Sequence, residues 1–503
     1  MPGLGGLMVC GTSSDAGKSH MVTGLCRLLA RQGVRVAPFK AQNMALNSFV
    51  TPSGHEIGRA QGVQALAAGA EPEVAMNPIL LKPTGERTSQ VVVNGRPLAH
   101  MTAAEYHERK PELLNVVLDA LADLRSRYDV VIVEGAGSPA EINLLDHDIV
   151  NLRVAHEAGL PVVVVGDIDR GGVFASLYGT VELLPPHYRS LVRGFLINKF
   201  RGDPALLGGG LGELERRTGV PTLGVVPFLH DVALDAEDSL GLDGYRPRAS
   251  GPAKADGLDV AVVRFPRISN FTDVDALALE PGVGVRLVDS AAALGAPDLV
   301  VLPGTKATVA DLGWLRGKGL DRAIAAAATP DAGALVLGVC GGLQMMGRTI
   351  DDDVESGAGR VEGLGWLGAH TTFESAKVTR QRRGTAMGQR VTGYQIHHGR
   401  VHRAEGTPGW VHLDDAYGAE ADGAVEPDEA RFLGTTLHGL FEEDGFRATF
   451  LTEIGRRRGK TFVPAGVSFP AARRAQFDRL ADTLEAHLDM AALQALVKEG
   501  APR

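Results

Sequence analysis

The sequence predicts two α/β domains in tandem, the first a doubly wound parallel sheet built around a phosphate-binding loop. Three observations predict it. Short β-branched runs alternate with helical stretches through the first half, the glycine-rich run GTSSDAGKS follows the first of those strands directly, and a second strand-and-helix series begins after a polar interruption rich in Gly, Pro and Ala. At 503 residues the chain is also too long for one ordinary core.

The strands expected in the first half are Leu7–Cys10, Val34–Phe39, Val130–Glu134, Pro161–Gly166, Gly194–Asn198 and Leu223–Pro227. They are continuous apolar runs, as parallel strands covered on both faces require. Helical spacing over Ser19–Gln32, Pro111–Tyr128 and Gly172–Leu184 supplies the crossovers. GLDGYRPRASGPAKAD, at 241–256, has no periodicity and reads as a linker. Strands are expected beyond it at Val260–Arg264, Val285–Val288, Leu299–Leu302 and Ala334–Val339, and Ala471–Val497 reads as one docked amphipathic helix. The expected division is a phosphate-loop domain over 1–240, the linker, a second domain over 257–455 and a helical tail over 456–503.

Composition excludes several classes. Hydrophobic residues at 44% and charged residues at 22% fit a globular chain, and a net charge of −9 opposes broad non-specific binding to nucleic acid. Apolar stretches such as Val162–Gly166 fall far short of the roughly 20 residues that cross a bilayer, and Met1–Cys10 lacks the basic start of a signal peptide. The expectation is a cytoplasmic protein without membrane or nucleic-acid partners. Cys10, Cys26 and Cys340 show no metal-like spacing and cannot build a disulfide framework.

The phosphate loop carries the first chemistry. Glycines at Gly11 and Gly17 let backbone N–H groups crowd phosphate oxygens, the helix that follows adds its positive end, Lys18 bridges outer phosphates and Ser19 is placed to ligate Mg2+. Thr12 and Asp15 belong to the same ATP-binding loop. Five residues separate Gly11 from Gly17, one more than in the usual motif, and this longer loop resembles that of dethiobiotin synthetases and related enzymes that activate carboxylates with ATP. Glu134, at the end of VVIVE, is the natural second group near the metal because catalytic side chains of open α/β sheets gather at strand carboxyl ends; a solvated strand-end carboxylate is the alternative. Asn198 in LINKF is placed to read adenine, or is a turn former.

The second chemistry is a thiol. Gly338-Val339-Cys340-Gly341-Gly342 follows an apolar strand and precedes a helical run, the form of a nucleophile elbow in which small neighbours permit the strained turn and the helix N-terminus stabilises a thiolate. Cys10 and Cys26 lack such a setting and read as buried structural thiols. A base is needed, and His438 in TLHGLF, His397 and His398 in GYQIHHGR compete for that role. Backbone N–H groups at Gly304 and Gly341 are candidates for an oxyanion hole.

Beyond these motifs, the order of a phosphate-loop domain and a class I glutamine amidotransferase domain resembles the cobyrinate amidotransferases of cobalamin biosynthesis. GTSSDAGKS, PFKAQNMALNS, VEGAGSPAEINL, GDIDRGGVFASLYGT, NKFRGD, LPGTK, GVCGGLQMMG, GYQIHHGR and TLHGLF carry the resemblance from Gly11 to Phe441. Several are peculiar to the branch that makes cobyric acid. The resemblance implies that Cys340 is the glutaminase nucleophile and His438 its partner. Ordinary class I members carry Glu two residues after that His, where this chain has Leu440; Glu442 and Glu443 are nearby candidates, and a two-residue Cys and His site is equally compatible. The implied reaction is ATP- and glutamine-dependent amidation of adenosylcobyrinic acid a,c-diamide at its b, d, e and g carboxylates, giving cobyric acid. Lys40, Gln42 and Asn43, with Asp169, Arg170, Gly171 and Gly172, line the expected carboxylate end of the corrinoid site, or are solvated loops. The a,c-diamide synthase of the same pathway is the nearest rival, and a phosphate-loop switch protein with a partner-binding C-terminal domain is a rival of another class.

Overall fold

The computed structural model describes residues 5–85, 87–230, 232 and 257–500. The expected linker, 241–256, lies outside them. Two compact units emerge: one comprises 1–45, 55–235 and 473–503, the other 46–54 and 236–472.

The first unit is built on a six-stranded sheet in the order Thr222–Pro227, Val192–Phe200, Val162–Asp167, Gly5–Gly11, Val130–Glu134 and Val36–Phe39. Every neighbouring pair is parallel. The expected strands are therefore present, with ends moved by one or two residues. Gly5–Gly11 lies at the centre, flanked by strands that follow much later in the chain, and such a switch in strand order opens the crevice where ligands of doubly wound sheets sit.

Helices cover both faces. Lys18–Arg31 buries Met21, Val22, Leu25, Cys26, Leu28 and Leu29. The helix expected from Pro111 begins earlier, at Ala103, and runs to Arg127 with Pro111 inside it. Its start is fixed by Thr102, which accepts from the Glu105 amide while the Glu105 side chain accepts from the Thr102 amide. That reciprocal capping outweighs the preference of proline for a first turn.

A four-stranded sheet, Gln42–Met44, Ile79–Pro83, Thr88–Val93 and Arg96–Thr102, was not expected. Its strands are short and interrupted by polar residues such as Lys82 and Gln90, both buried, so no clean alternation marks them.

The tail also differs from expectation. It forms two helices, Phe469–His487 and Met490–Glu499. Asp489 breaks the run: its amide donates to the Leu223 carbonyl and its side chain caps the second helix through the Ala492 amide. Leu484, Leu488, Leu493 and Leu496 then pack in the same core cluster as Leu7, Val9 and Leu25 of the first unit.

In the second unit a six-stranded sheet runs Val283–Val288, Leu258–Val263, Leu299–Leu302, Leu335–Val339, Phe432–Thr435 and Ala424–Val425, parallel except at its last pair. Beside it lies a second sheet dominated by a long hairpin, Ala369–Ala386 with Gln389–Arg403. The hairpin was not expected from a segment as charged as Arg380–Arg383, whose Arg382 is buried against Asp415.

Candidate functional site

In the first unit the loop after Gly5–Gly11 wraps onto the start of the helix Lys18–Arg31, as its glycines require. Gly17 has φ +102, and a Cβ there would stand 2.0 Å from the Asn198 Nδ2 atom. Thr12 donates its amide to the Val165 carbonyl. Lys18 folds back so that Nζ donates to the carbonyls of Ser13, at 2.9 Å, and Gly137, at 3.2 Å. Asn198 donates to the Ala16 carbonyl at 2.9 Å, tying the end of the strand Val192–Phe200 to the loop.

Glu134 emerges at the end of the strand next to the loop, fully buried. Ser19 Oγ and Lys40 Nζ each donate to its Oε1 at 2.9 Å, and Gln64 Nε2 donates to its Oε2 at 2.5 Å. Ser19 and Glu134, expected together at a metal, are thus in direct contact. A hydroxyl beside a single carboxylate fits Mg2+, which takes one or two protein oxygens and completes its shell with water and phosphate. Among the described residues there is no cluster of three or more His, Cys, Asp or Glu for a metal held by protein alone.

Removing Glu134 leaves the Lys40 ammonium buried without this carboxylate, and breaking a buried pair costs about 3–5 kcal/mol. Glu134→Ala is expected to lower unfolding stability by about 3 kcal/mol in denaturant titration, and Lys40→Met in the same chain to restore much of it. An unchanged midpoint in the single variant contradicts the pairing.

The other expected substrate residues are spread around this crevice. Gln42 accepts from the Tyr106 hydroxyl at 2.5 Å, and Asn43 donates to Gln61 at 2.9 Å, both part-buried or buried. Asp169 is paired with Arg201 at 2.8 Å. Arg170 stands 3.6 Å from Asp15 of the phosphate loop and 3.6 Å from Asp167, joining the DIDRGG loop to it. Gly171 and Gly172 both have positive φ, +79 and +71, which this turn needs.

In the second unit Cys340 follows the strand Leu335–Val339 with φ 51 and ψ −106, the strained turn that an elbow demands. Close packing explains its glycines: a Cβ on Gly342 would lie 1.9 Å from the Leu302 carbonyl oxygen. Cys340 is buried, and its sulfur stands 4.0 Å from the Ile396 carbonyl. The flanking strands supply the rest. Gly304 follows Leu299–Leu302 and His438 follows Phe432–Thr435. A Cβ on Gly304 would stand 3.0 Å from the His438 ring, while Gly341 lies against Thr305. Of the two glycines named for an oxyanion hole, Gly341 directly follows Cys340 and Gly304 lies against the His438 ring.

His438 is fully buried and fixed by paired backbone bonds with Tyr394, whose ring stacks on the imidazole at 5.2 Å between centroids. Its Nδ1 lies 2.7 Å from Oδ2 of Asp273, whose Oδ1 accepts from the Gly439 amide at 2.8 Å. Burial alone lowers the imidazole pKa, but the charge and hydrogen bond of Asp273, with Cys340 adding to them, raise it to about 10. The pair's contribution to stability is consequently full below the ordinary value of 6.5 and is lost as pH rises through about 10.

Asp273 was not among the expected residues. It lies in a short turn, Phe271–Val274, far from His438 in sequence, and no local pattern signals it. Glu443 accepts instead from the Thr392 hydroxyl at 2.5 Å. His397 and His398 turn their Nδ1 atoms to the carbonyls of Gly399 and Glu374, and burial pushes His397 down to about 3, leaving it neutral. Cys10 and Cys26 are buried, with Cys10 pushed up to about 12 by desolvation.

Comparison with known proteins gives each half of the chain a family. Residues 7–241 match the CobQ/CobB/MinD/ParA nucleotide binding domain, and 259–446 match the CobB/CobQ-like glutamine amidotransferase domain. Proteins named cobyric acid synthase are 55% identical in Rhodococcus jostii, covering 99% of this chain and 96% of that one, and 54% identical in Streptomyces coelicolor, covering 99% and 97%. A third, from Nocardia farcinica, is 52% identical over 99% and 98%. Given identity of this order along nearly the whole of each chain, the chain belongs to the cobyric acid synthase family.

Proposed function

We propose that this chain amidates the b, d, e and g carboxylates of adenosylcobyrinic acid a,c-diamide, using ATP with Mg2+ and taking nitrogen from glutamine, to give cobyric acid. The observation that carries the reading is the buried Cys340, His438 and Asp273 constellation in a chain that also holds a complete phosphate loop. A switch protein with a passive C-terminal domain has no use for it. The chain is read as acting in the cytoplasm; no helix among the described residues is long and apolar enough to cross a membrane.

A carboxylate is a poor electrophile, so it is first phosphorylated. Backbone N–H groups of 11–17 and the Lys18 ammonium hold the transferring phosphates; Ser19 and Glu134 would hold Mg2+, which would supply further charge neutralisation. Lys40 and Arg170 are cations suited to the corrinoid carboxylates. At the other site His438 keeps the Cys340 thiolate paired with its proton. The sulfur attacks the glutamine amide, Gly304 and Gly341 N–H groups bind the oxyanion, and His438 delivers the proton that releases ammonia. Water then cleaves the thioester with His438 as base, and Asp273 holds the ring in the orientation and tautomer both steps need.

Asp273→Asn is expected to lower glutaminase kcat by about 10³-fold, since the same change in serine triads costs up to about 10⁴. It also moves the alkaline limb of the pH profile down from about 10, where wild-type His438 loses its proton. A profile unmoved by the substitution removes Asp273 from this role. The substrate assignment is tested by mass spectrometry of products from cobyrinic acid and from its a,c-diamide. Amidation of the diamide at b, d, e and g supports it; activity confined to the a and c positions of cobyrinic acid assigns the chain to the rival diamide synthase reaction.

A further inference from the structure

Beside the phosphate loop is a cavity of about 150 Å³ whose lining includes His20, Met21, Asn198 and Phe228, together with Leu480 and Leu484 of the C-terminal helix Phe469–His487. All six belong to the first unit, although the helix lies far from the loop in sequence. We propose that the purine base of the nucleotide enters this slot and that the C-terminal helix forms one of its walls, so that the tail is part of the ATP site. The inference rests on the reading of the phosphate loop as the nucleotide site and deepens it.

Position and chemistry both support a base. His20 follows Ser19 directly, and Asn198 is bonded to Ala16 inside the loop, so the slot opens where the phosphates end. Its volume suits one flat ring system rather than a whole nucleotide. The walls are mostly apolar, as a heteroaromatic ring prefers, and the Phe228 ring is held by the Arg201 guanidinium at 3.6 Å.

The polar groups at the edge discriminate. The Asn198 amide nitrogen is committed to the Ala16 carbonyl, which leaves its carboxamide oxygen to accept. An adenine amino group satisfies that oxygen; the carbonyl of guanine in the same position faces it with a second acceptor. His20 lines the same edge and offers the ring an imidazole nitrogen. The helix wall is anchored from outside by Arg27 on Asp478, at 2.7 Å, and packed from inside where Leu484 meets Gly24.

The test compares MgATP with inorganic tripolyphosphate, which fills the phosphate loop without a base, by isothermal titration on the full chain. Leu480→Trp places an indole in the slot. Its dissociation constant for MgATP is expected to rise at least tenfold while that for tripolyphosphate stays within twofold. Unchanged ATP binding, or equal loss of both ligands, overturns the proposal. Wild-type protein that binds neither ligand refutes the phosphate-loop reading itself. Should the variant not fold, hydrogen exchange on wild-type protein decides: ATP, and not tripolyphosphate, is expected to slow exchange in the peptide covering 477–488, and equal effects of the two overturn the assignment.

Discussion

Cys340→Ala is expected to abolish glutamine-dependent amidation, by at least about 10³-fold, while ammonium salts at alkaline pH still support synthesis by the variant. The nucleophile forms the acyl intermediate, and no other thiol can replace it: Cys10 lies in the strand Gly5–Gly11 and Cys26 in the helix Lys18–Arg31, both buried. Loss on this scale is what removal of a covalent nucleophile produces when binding and oxyanion donors remain. The split between nitrogen sources is the informative part. Ammonia needs no thioester, so the synthetase reaction continues, and loss of both activities removes Cys340 from the glutaminase role. Ala is also conservative for the fold, since the elbow is fixed by its backbone bond from the Cys340 amide to the Thr435 carbonyl rather than by the sulfur.

Lys18→Ala is expected to have the complementary effect, stopping amidation from glutamine and from ammonia alike by on the order of 10³-fold. Phosphoryl transfer is catalysed almost wholly by positioning and by charge neutralisation. Lys18 supplies the cation at the loop, held over it by the Ser13 and Gly137 carbonyls. Both nitrogen sources require the acyl phosphate, so neither escapes. Glutamine hydrolysis measured without corrinoid is expected to survive, because every residue assigned to it belongs to the other compact unit. Wild-type amidation by this variant shows that the phosphate loop has been misread.

The fold was legible wherever local chemistry and global order agreed. Parallel strands announce themselves as unbroken apolar runs, and the phosphate loop and the Cys340 turn follow strands whose ends moved by only one or two residues, so Lys18 stands at a helix start and Glu134 and Cys340 at strand ends. What escaped depends on contacts between distant segments. The sheet that includes Gln42–Met44 hides buried polar residues that break alternation, and the hairpin carrying Tyr394 and the His397–His398 pair is masked by charges neutralised only in the folded state. Asp273 is the clearest case. Replacement of the usual Glu by Leu440 said that a carboxylate was absent from its ordinary place, but only the folded chain shows the one that reaches His438 from another loop. Likewise the bond from Lys40 to Glu134, beside Ser19, joins segments far apart in the chain and has no local signal.

The central claim is that glutamine nitrogen freed at the thiol is consumed by an acid that ATP has activated. Incubation of the protein with amide-¹⁵N glutamine, MgATP and adenosylcobyrinic acid a,c-diamide, followed by mass spectrometry of the corrinoid, tests it most directly. The account predicts cobyric acid with ¹⁵N in its b, d, e and g amides, and none formed when ATP is withheld. Labelled glutamine hydrolysed alongside an unchanged a,c-diamide would contradict it.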